Sequence, residues 1–363
     1  MPIDEHNEHN EHEQEHEQPP IPGDEQSAPE KSAPVPPTEQ RAWQPPDPAM
    51  QKISVAVDRI KEELRKVIIG QEDMLDLLMA ALFSGGHVLL EGVPGIAKTL
   101  TANLLAQSMN VGFSRIQFTP DLMPSDVVGT TIFNMKDSEF TFSAGPVFSN
   151  FVLIDEINRA PAKTQAALFE VMEEYQVTVD GTTYGMEAPF FVIATQNPIE
   201  QEGTYKLPEA QLDRFLAKIN LEYPKLEEEK LILRRFQSDF GMAKREVVQS
   251  VFEASEIQEC QALVQQVHIR EELLDYIAHI IHDTRNNGDL FLGASPRASL
   301  AVMKMAKAVA AMNGRDFVTP DDIQLVAYPV LNHRVILTPE REMEGYDTKE
   351  VIQQIVQKIE VPR

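Results

Sequence analysis

Five short apolar runs punctuate residues 87–221, at 87–91, 115–118, 151–154, 190–193 and, more weakly, 217–221. Runs of four to six residues are strand-sized, and helical stretches alternate with them along the chain. Strand and helix signals that alternate in this way call for crossover connections, which lay helices over both faces of a parallel sheet. The fold class is therefore α/β, a parallel sheet flanked by helices. After Pro224 the strand signal nearly vanishes and helical patterns run to the C-terminus. We place a boundary there, between an α/β unit at 51–224 and a helical unit at 225–363.

Two helices lead into the sheet. Ile53, Val57, Ile60, Leu64 and Val67 recur at spacings of three and four, and a second stripe after Gly70 carries Met74, Leu77, Leu78, Ala81 and Leu82. Residues 1–50 differ in kind. They hold 11 of the 25 prolines and 4 of the 9 histidines, and their 12 acidic and 2 basic side chains carry −10 of the net −25. Their few large apolar residues cannot offset chain entropy, so this acidic, His- and Pro-rich tail is expected to be disordered. His6, His9, His12 and His16 fall at helical spacing, which suits a metal ion, although a solvated low-complexity tail is the simpler account. Trp43 reads either as a docking anchor or as a lone tail aromatic.

The chemistry begins where the first run ends. Gly92, Val93, Pro94, Gly95, Ile96, Ala97, Lys98 and Thr99 form a glycine-bearing loop, and Leu100 continues into an apolar helix. Backbone N–H groups at such a strand–loop–helix turn, with the positive end of the helix, suit a triphosphate. Lys98 would reach the β- and γ-phosphates and Thr99 would ligate Mg²⁺. Ala97 stands where the phosphate-loop pattern has its second glycine. A helix start asks only for right-handed backbone, which alanine adopts freely.

The third run ends in Asp155 and Glu156, 57 residues after Lys98. Parallel sheets present ligands at the carboxyl ends of their strands, so both segments deliver to one edge. Asp155 would hold Mg²⁺, and Glu156 would polarise the water that attacks the γ-phosphate. An Asp-Glu pair at a strand end can also simply cap a helix. The fourth run leads to Asn197, placed to orient that water, or else the first half of an Asn-Pro turn. The segment 207–215 reads as a helix ending in an arginine. In a monomer Arg214 is a surface residue; in a ring it can reach the neighbour's γ-phosphate.

The linked motifs 92–99, 117–129, 153–161, 194–198, 207–215 and 293–298 resemble those of AAA+ ATPases, and more closely the MoxR family, over about residues 50–345. The resemblance implies ATP and Mg²⁺ as cofactors and an AAA+ core with a C-terminal all-α lid. It makes Lys98 and Thr99 Walker A, Asp155 and Glu156 Walker B, Asn197 sensor 1, Arg214 the arginine finger and Arg297 sensor 2. It also puts Ile68 and Ile69 against adenine, a place that ordinary core packing would explain as well. Alanine at position 97 is usual for such sequences. From its spacing alone, Arg297 is equally a plain surface arginine at a helix start marked by Ser295 and Pro296. The resemblance further implies a homo-oligomeric, hexameric ring that acts on protein clients, with von Willebrand A-domain proteins as partners. Hairpins are expected at about 127–145 and 175–187, the second turning at Asp180-Gly181. In related proteins such insertions face the pore; edge strands capping the sheet are the alternative.

No stretch approaches the roughly 20 apolar residues of a membrane span. The acidic start lacks a secretory-signal pattern. A lone cysteine, Cys260, excludes an intrachain disulfide framework and points to the cytoplasm. The folded part carries −15, which disfavours nucleic acid as a partner, since phosphate coating needs clustered Lys and Arg. Two rival functions stay open: a nucleotide-gated scaffold with negligible turnover, and a DNA-acting AAA+ motor.

Overall fold

The computed structural model describes residues 48–93, 95–136, 138–198, 204–237 and 247–362. The tail with its histidines and Trp43 lies outside the described residues, as does Pro94 of the loop. Residues 48–50, which we assigned to the tail, instead open the first helix, with Met50 buried.

That helix, α1 (Pro48–Arg65), buries its three-and-four stripe, and α2 (Glu72–Phe83) follows. The sheet is then laid down as β1 (Val88–Gly92), α3 (Lys98–Ser108), β2 (Phe113–Gln117) and the short α4 (Pro124–Val128). The first hairpin is β3 (Gly129–Asn134) with β4 (Glu139–Ala144). Next come β5 (Phe151–Asp155), α5 (Ala162–Glu174) and the second hairpin, β6 (Gln176–Val179) with β7 (Thr182–Gly185). Then β8 (Phe191–Gln196), the one-turn α6 (Glu209–Leu212) and β9 (Ala217–Leu221) complete the α/β part. The five sheet strands run in the order β2-β5-β8-β1-β9 and every pairing is parallel. All five apolar runs are strands of this one sheet. Both hairpins stand apart as two-stranded ladders joined to each other by Phe142 stacked on Tyr184, ring centroids 4.1 Å apart.

The C-terminal part contributes α7 (Leu226–Phe236), α8 (Ala254–Gln266), α9 (Glu271–Arg285), β10 (Leu290–Leu292), α10 (Pro296–Met312), α11 (Pro320–Leu331), β11 (Ile336–Leu337), α12 (Pro339–Met343) and α13 (Thr348–Lys358). It is a helical lid that also carries one short antiparallel pair, β10 with β11. Thr319 starts α11 as the sequence suggests: its hydroxyl and backbone N–H both donate to Asp322, which also holds Arg315. α13 buries Val351, Ile352, Ile355 and Val356 in this chain's own core.

Two apolar layers flank the sheet. On one face Leu89, Val152, Ile154, Phe169, Val192 and Phe215 pack together. On the other, α1, α2 and α3 share a continuous core with α8, α9, α10 and α11. The helices ahead of the sheet therefore bind sheet and lid into one body, Pro45–Arg363.

Candidate functional site

The carboxyl ends of β1, β5 and β8 form one edge. Register puts Thr195 beside Leu90 and Ala194 beside Ile154, so Gly92 and Asn197 end level with each other, while Asp155 sits beside Thr195 two residues below them on the same edge. Gly92 must be glycine: a Cβ there would lie 2.8 Å from the Ile96 side chain and 2.9 Å from Leu221. The loop folds back over the strand end at that point. Lys98 opens α3 and donates from Nζ to the Gly92 carbonyl at 2.6 Å. Ile96 is buried beneath the loop, while Val93 and Leu100 are half-buried.

Ala97 overturns one expectation. Its backbone is left-handed, φ 62° and ψ 19°, whereas we expected right-handed. Gly95 is left-handed as well, at φ 88°. The loop needs this turn to aim successive N–H groups into one concavity, and alanine adopts it at a cost of about 1 kcal/mol.

Thr99 Oγ1 stands 3.3 and 3.5 Å from the two oxygens of Asp155. Asp155 also accepts from Thr195 Oγ1 at 3.1 Å and from Arg115 Nε at 2.6 Å. Its neighbour Glu156, itself left-handed, receives Gln117 Nε2 at 2.8 Å and Arg159 Nε at 2.9 Å on the same oxygen. Asn197, just past β8, is buried. Lys98, Thr99, Asp155, Glu156 and Asn197 thus gather at one edge. The hydroxyl of Thr99 against a carboxylate is the hard-oxygen pair that Mg²⁺ takes, alongside phosphate oxygens.

Ile68 and Ile69 line a cleft of about 400 Å³ with Gly70 on one side and Leu231, Arg234 and Arg235 of α7 on another. Gln71 ties this segment to the loop by donating from Nε2 to the Ile96 carbonyl. The other end of that amide, Gln71 Oε1, is buried without a partner among the described residues. Arg65 and Glu72 also line the cleft, so aliphatic and charged groups share it, and an orphaned acceptor next along the chain from Gly70 suits a base that carries an amino group.

Arg214 and Arg297 lie elsewhere. Arg214 follows α6 in a turn rather than ending a helix, because α6 stops at Leu212. The chain then enters β9, whose first residue pairs with Val88 at the start of β1. Arg297 sits on the first turn of α10, after Ser295 and Pro296 as the sequence indicated. Both guanidinium groups reach one carboxylate, Glu173 at the end of α5: Arg214 at 3.1 Å and Arg297 at 2.8 Å. This is the amino edge of the sheet, since the Met172 carbonyl beside Glu173 contacts His87. A five-residue strand separates the two edges by roughly 16 Å.

The sequence reading missed four polar residues that hold these groups: Arg115, Gln117, Glu173 and Thr195. Arg115 and Gln117 alternate on β2, which neighbours β5, so their period of two placed both on one face. Nothing comparable marks Glu173. Arg334, just past α11, is buried within its own chain and paired with Asp213 at 2.6 Å.

Known proteins share this arrangement. Residues 87–217 match the model for the ATPase family associated with various cellular activities (AAA), and 282–355 match that for the AAA lid domain. The chain is 46% identical over 301 residues to the uncharacterized protein YeaC of Bacillus subtilis, covering 83% of this chain and 93% of that one. It is 42% identical over 316 residues to Chaperone MoxR1 of Mycobacterium tuberculosis, covering 85% and 82%. The crystal structure of a candidate ATPase from Cytophaga hutchinsonii superposes with a TM-score of 0.80 at 44% identity, over 87% of this chain and 97% of that one. Sheet order, phosphate loop, helical lid and these relatives agree: the chain belongs to the MoxR family of AAA+ ATPases.

Proposed function

We propose that this protein hydrolyses ATP as a ring, hexameric by the family resemblance, and uses the turnover to remodel or mature partner proteins. The observation that carries this reading is the division of the site. The phosphate loop, Thr99, Asp155, Glu156 and Asn197 occupy the carboxyl edge, while Arg214 and Arg297 occupy the amino edge. One chain cannot bring both to one phosphate; two copies, head to tail around a ring, can.

In this reading the loop amides and Lys98 hold the phosphates. Thr99 and Asp155 hold Mg²⁺, which supplies charge neutralisation when bound. Ile68, Ile69 and Gln71 receive the adenine. Glu156 takes a proton from water positioned with Asn197, and the neighbour's Arg214 and Arg297 face the developing negative charge. Arg297 thus acts in trans. The domain division near residue 224 belongs to the same proposal, the lid relaying nucleotide state to the next subunit. The β3–β4 and β6–β7 hairpins would face the pore. Exposed Phe133, Met135 and Phe140 on the first give it an apolar tip that suits polypeptide. A relative named as a chaperone supports protein clients. Von Willebrand A-domain partners and a cytoplasmic site rest on the sequence reading alone. Among the described residues no helix is long and apolar enough to cross a membrane.

Steady-state phosphate release by the wild type beside Glu156→Gln tests the proposal. We expect a loss of about a hundredfold or more in the variant. Equal rates near background would instead leave a nucleotide-gated scaffold.

A further inference from the structure

The two arginines at the amino edge are held by more than Glu173. The segment 213–216, which carries Arg214, is fastened to the lid by a single buried side chain. Arg334, just past α11, has a side-chain exposure of 2%. Its Nε donates to Asp213 Oδ1 at 2.6 Å. Nη1 donates to the carbonyls of Leu216 at 3.0 Å and Val330 at 2.6 Å. Nη2 donates to those of Asp213 at 3.1 Å and Phe215 at 2.7 Å. Every N–H of the fork is used, and three of the four carbonyls belong to the segment around Arg214.

The same knot holds the second arginine. Asp213 Oδ2 accepts from Ser295 Oγ at 3.1 Å, and Ser295 is the residue on which α10 begins, two before Arg297. His333 closes the other side, its Nε2 3.1 Å from the Phe215 carbonyl. Burial keeps that ring neutral, with the adjacent Arg334 charge acting in the same direction. Burial also draws Arg334 below its usual value, and Asp213 opposes this, so the pair stands or falls together. Asp213 thus joins the backbone of one arginine to the helix start of the other, and Arg334 locks Asp213.

We infer that Arg334 is a positioning residue which fixes Arg214 and Arg297 relative to each other, so that the lid and the finger loop present both guanidinium groups to the neighbouring subunit as one rigid element. It touches no nucleotide itself. A guanidinium displaced by about 1 Å costs on the order of a hundredfold in rate. Lysine in place of Arg334 keeps the charge but offers one point of donation in place of a planar fork. This inference rests on the reading that Arg214 and Arg297 act in trans.

Mixed rings separate the two. An acceptor subunit carrying Arg214→Ala and Arg297→Ala keeps its own nucleotide pocket but gives no arginines. A donor carrying Glu156→Gln gives arginines but hydrolyses nothing. Mixing them should restore ATP turnover; failure here overturns the trans reading before Arg334 is tested. Arg334→Lys added to the donor should then lower the restored kcat about tenfold or more, with the ATP concentration at half-maximal rate unchanged. The same change added to the acceptor should leave restoration intact. Asp213→Asn in the donor, which spares the carbonyl contacts of Arg334, should lower kcat in the same direction. Full restoration by both altered donors overturns the inference. So does equal loss when Arg334→Lys is in the acceptor, or failure of both altered donors to enter rings by light scattering, because either outcome gives Arg334 a folding role only.

Discussion

The buried imidazole of His87 makes the stability of this fold depend on pH in a window where few other groups titrate. His87 immediately precedes β1, and its ring clusters with the Tyr175 and Phe190 rings, whose centroids are 5.9 and 5.5 Å from it and 6.0 Å from each other. Val192 N–H donates to Nδ1 at 3.1 Å, so that nitrogen carries a lone pair. The proton is therefore on Nε2, donated to the Met172 carbonyl at 3.1 Å. A second proton would have to sit on Nδ1, facing the Val192 N–H inside an apolar wall. Burial accordingly lowers the imidazole from 6.5 to about 4. Because the folded value lies below the unfolded one, the unfolded chain takes up the proton first as pH falls. The stabilisation is complete above pH 6.5 and is lost progressively toward pH 4. Over the whole window it amounts to roughly 3 kcal/mol, and between about pH 7.5 and about pH 5.5 to roughly 1 kcal/mol. Urea unfolding at those two pH values measures it, both points lying above the pI near 4.7. His87→Asn keeps an acceptor for Val192 N–H and removes the titration. The variant should be less stable at neutral pH yet lose roughly 1 kcal/mol less on acidification. Identical pH slopes for the two proteins would refute the assignment of a neutral, Nε2-protonated ring.

Two further predictions concern the loop and the hairpins. Ala97→Gly should bind a fluorescent ATP analogue as well as the wild type does, whereas Ala97→Val, β-branched at positive φ, should weaken binding about tenfold or more; equal affinity in the valine variant would deny the left-handed turn. The Phe142–Tyr184 stack, with planes 17° apart, should give a double-alanine coupling energy of about 1 kcal/mol in denaturant unfolding, and strict additivity would mean that the hairpins move independently.

Sequence made the nucleotide-binding edge legible because its signals are local. A strand, a glycine-bearing loop and a helix are contiguous at 88–108, and the Asp-Glu pair ends its own strand. Periodicity places such residues at strand ends, and parallel topology collects strand ends on one edge. The left-handed turn at Ala97 escaped the same logic. A helix start suggests right-handed backbone, and only the wrap of the loop over Gly92 demands otherwise. Of the residues that hold Asp155 and Glu156, Arg115 and Gln117 come from β2, some 40 positions away. Their alternation was visible, but that β2 pairs with β5 was not.

The amino edge was opaque for a stronger reason. Arg214, Arg297 and Glu173 meet across separations of 41 and 124 residues, with no repeat or spacing to announce it. Each alone is a charged residue near the end of a helix or turn, which is what ordinary solvated surface looks like. Their meaning comes from where they are not. A site complete within one chain would gather its arginines at the carboxyl edge, yet here the two arginines that the family motifs single out sit a full strand length away. They are anchored through Asp213 to a buried arginine whose every donor is used. Surface charges do not need a buried guanidinium to hold them still, because exposed pairs contribute about 1 kcal/mol or less. In the proposed ring, rigidity at that edge would serve the neighbour rather than the chain that builds it.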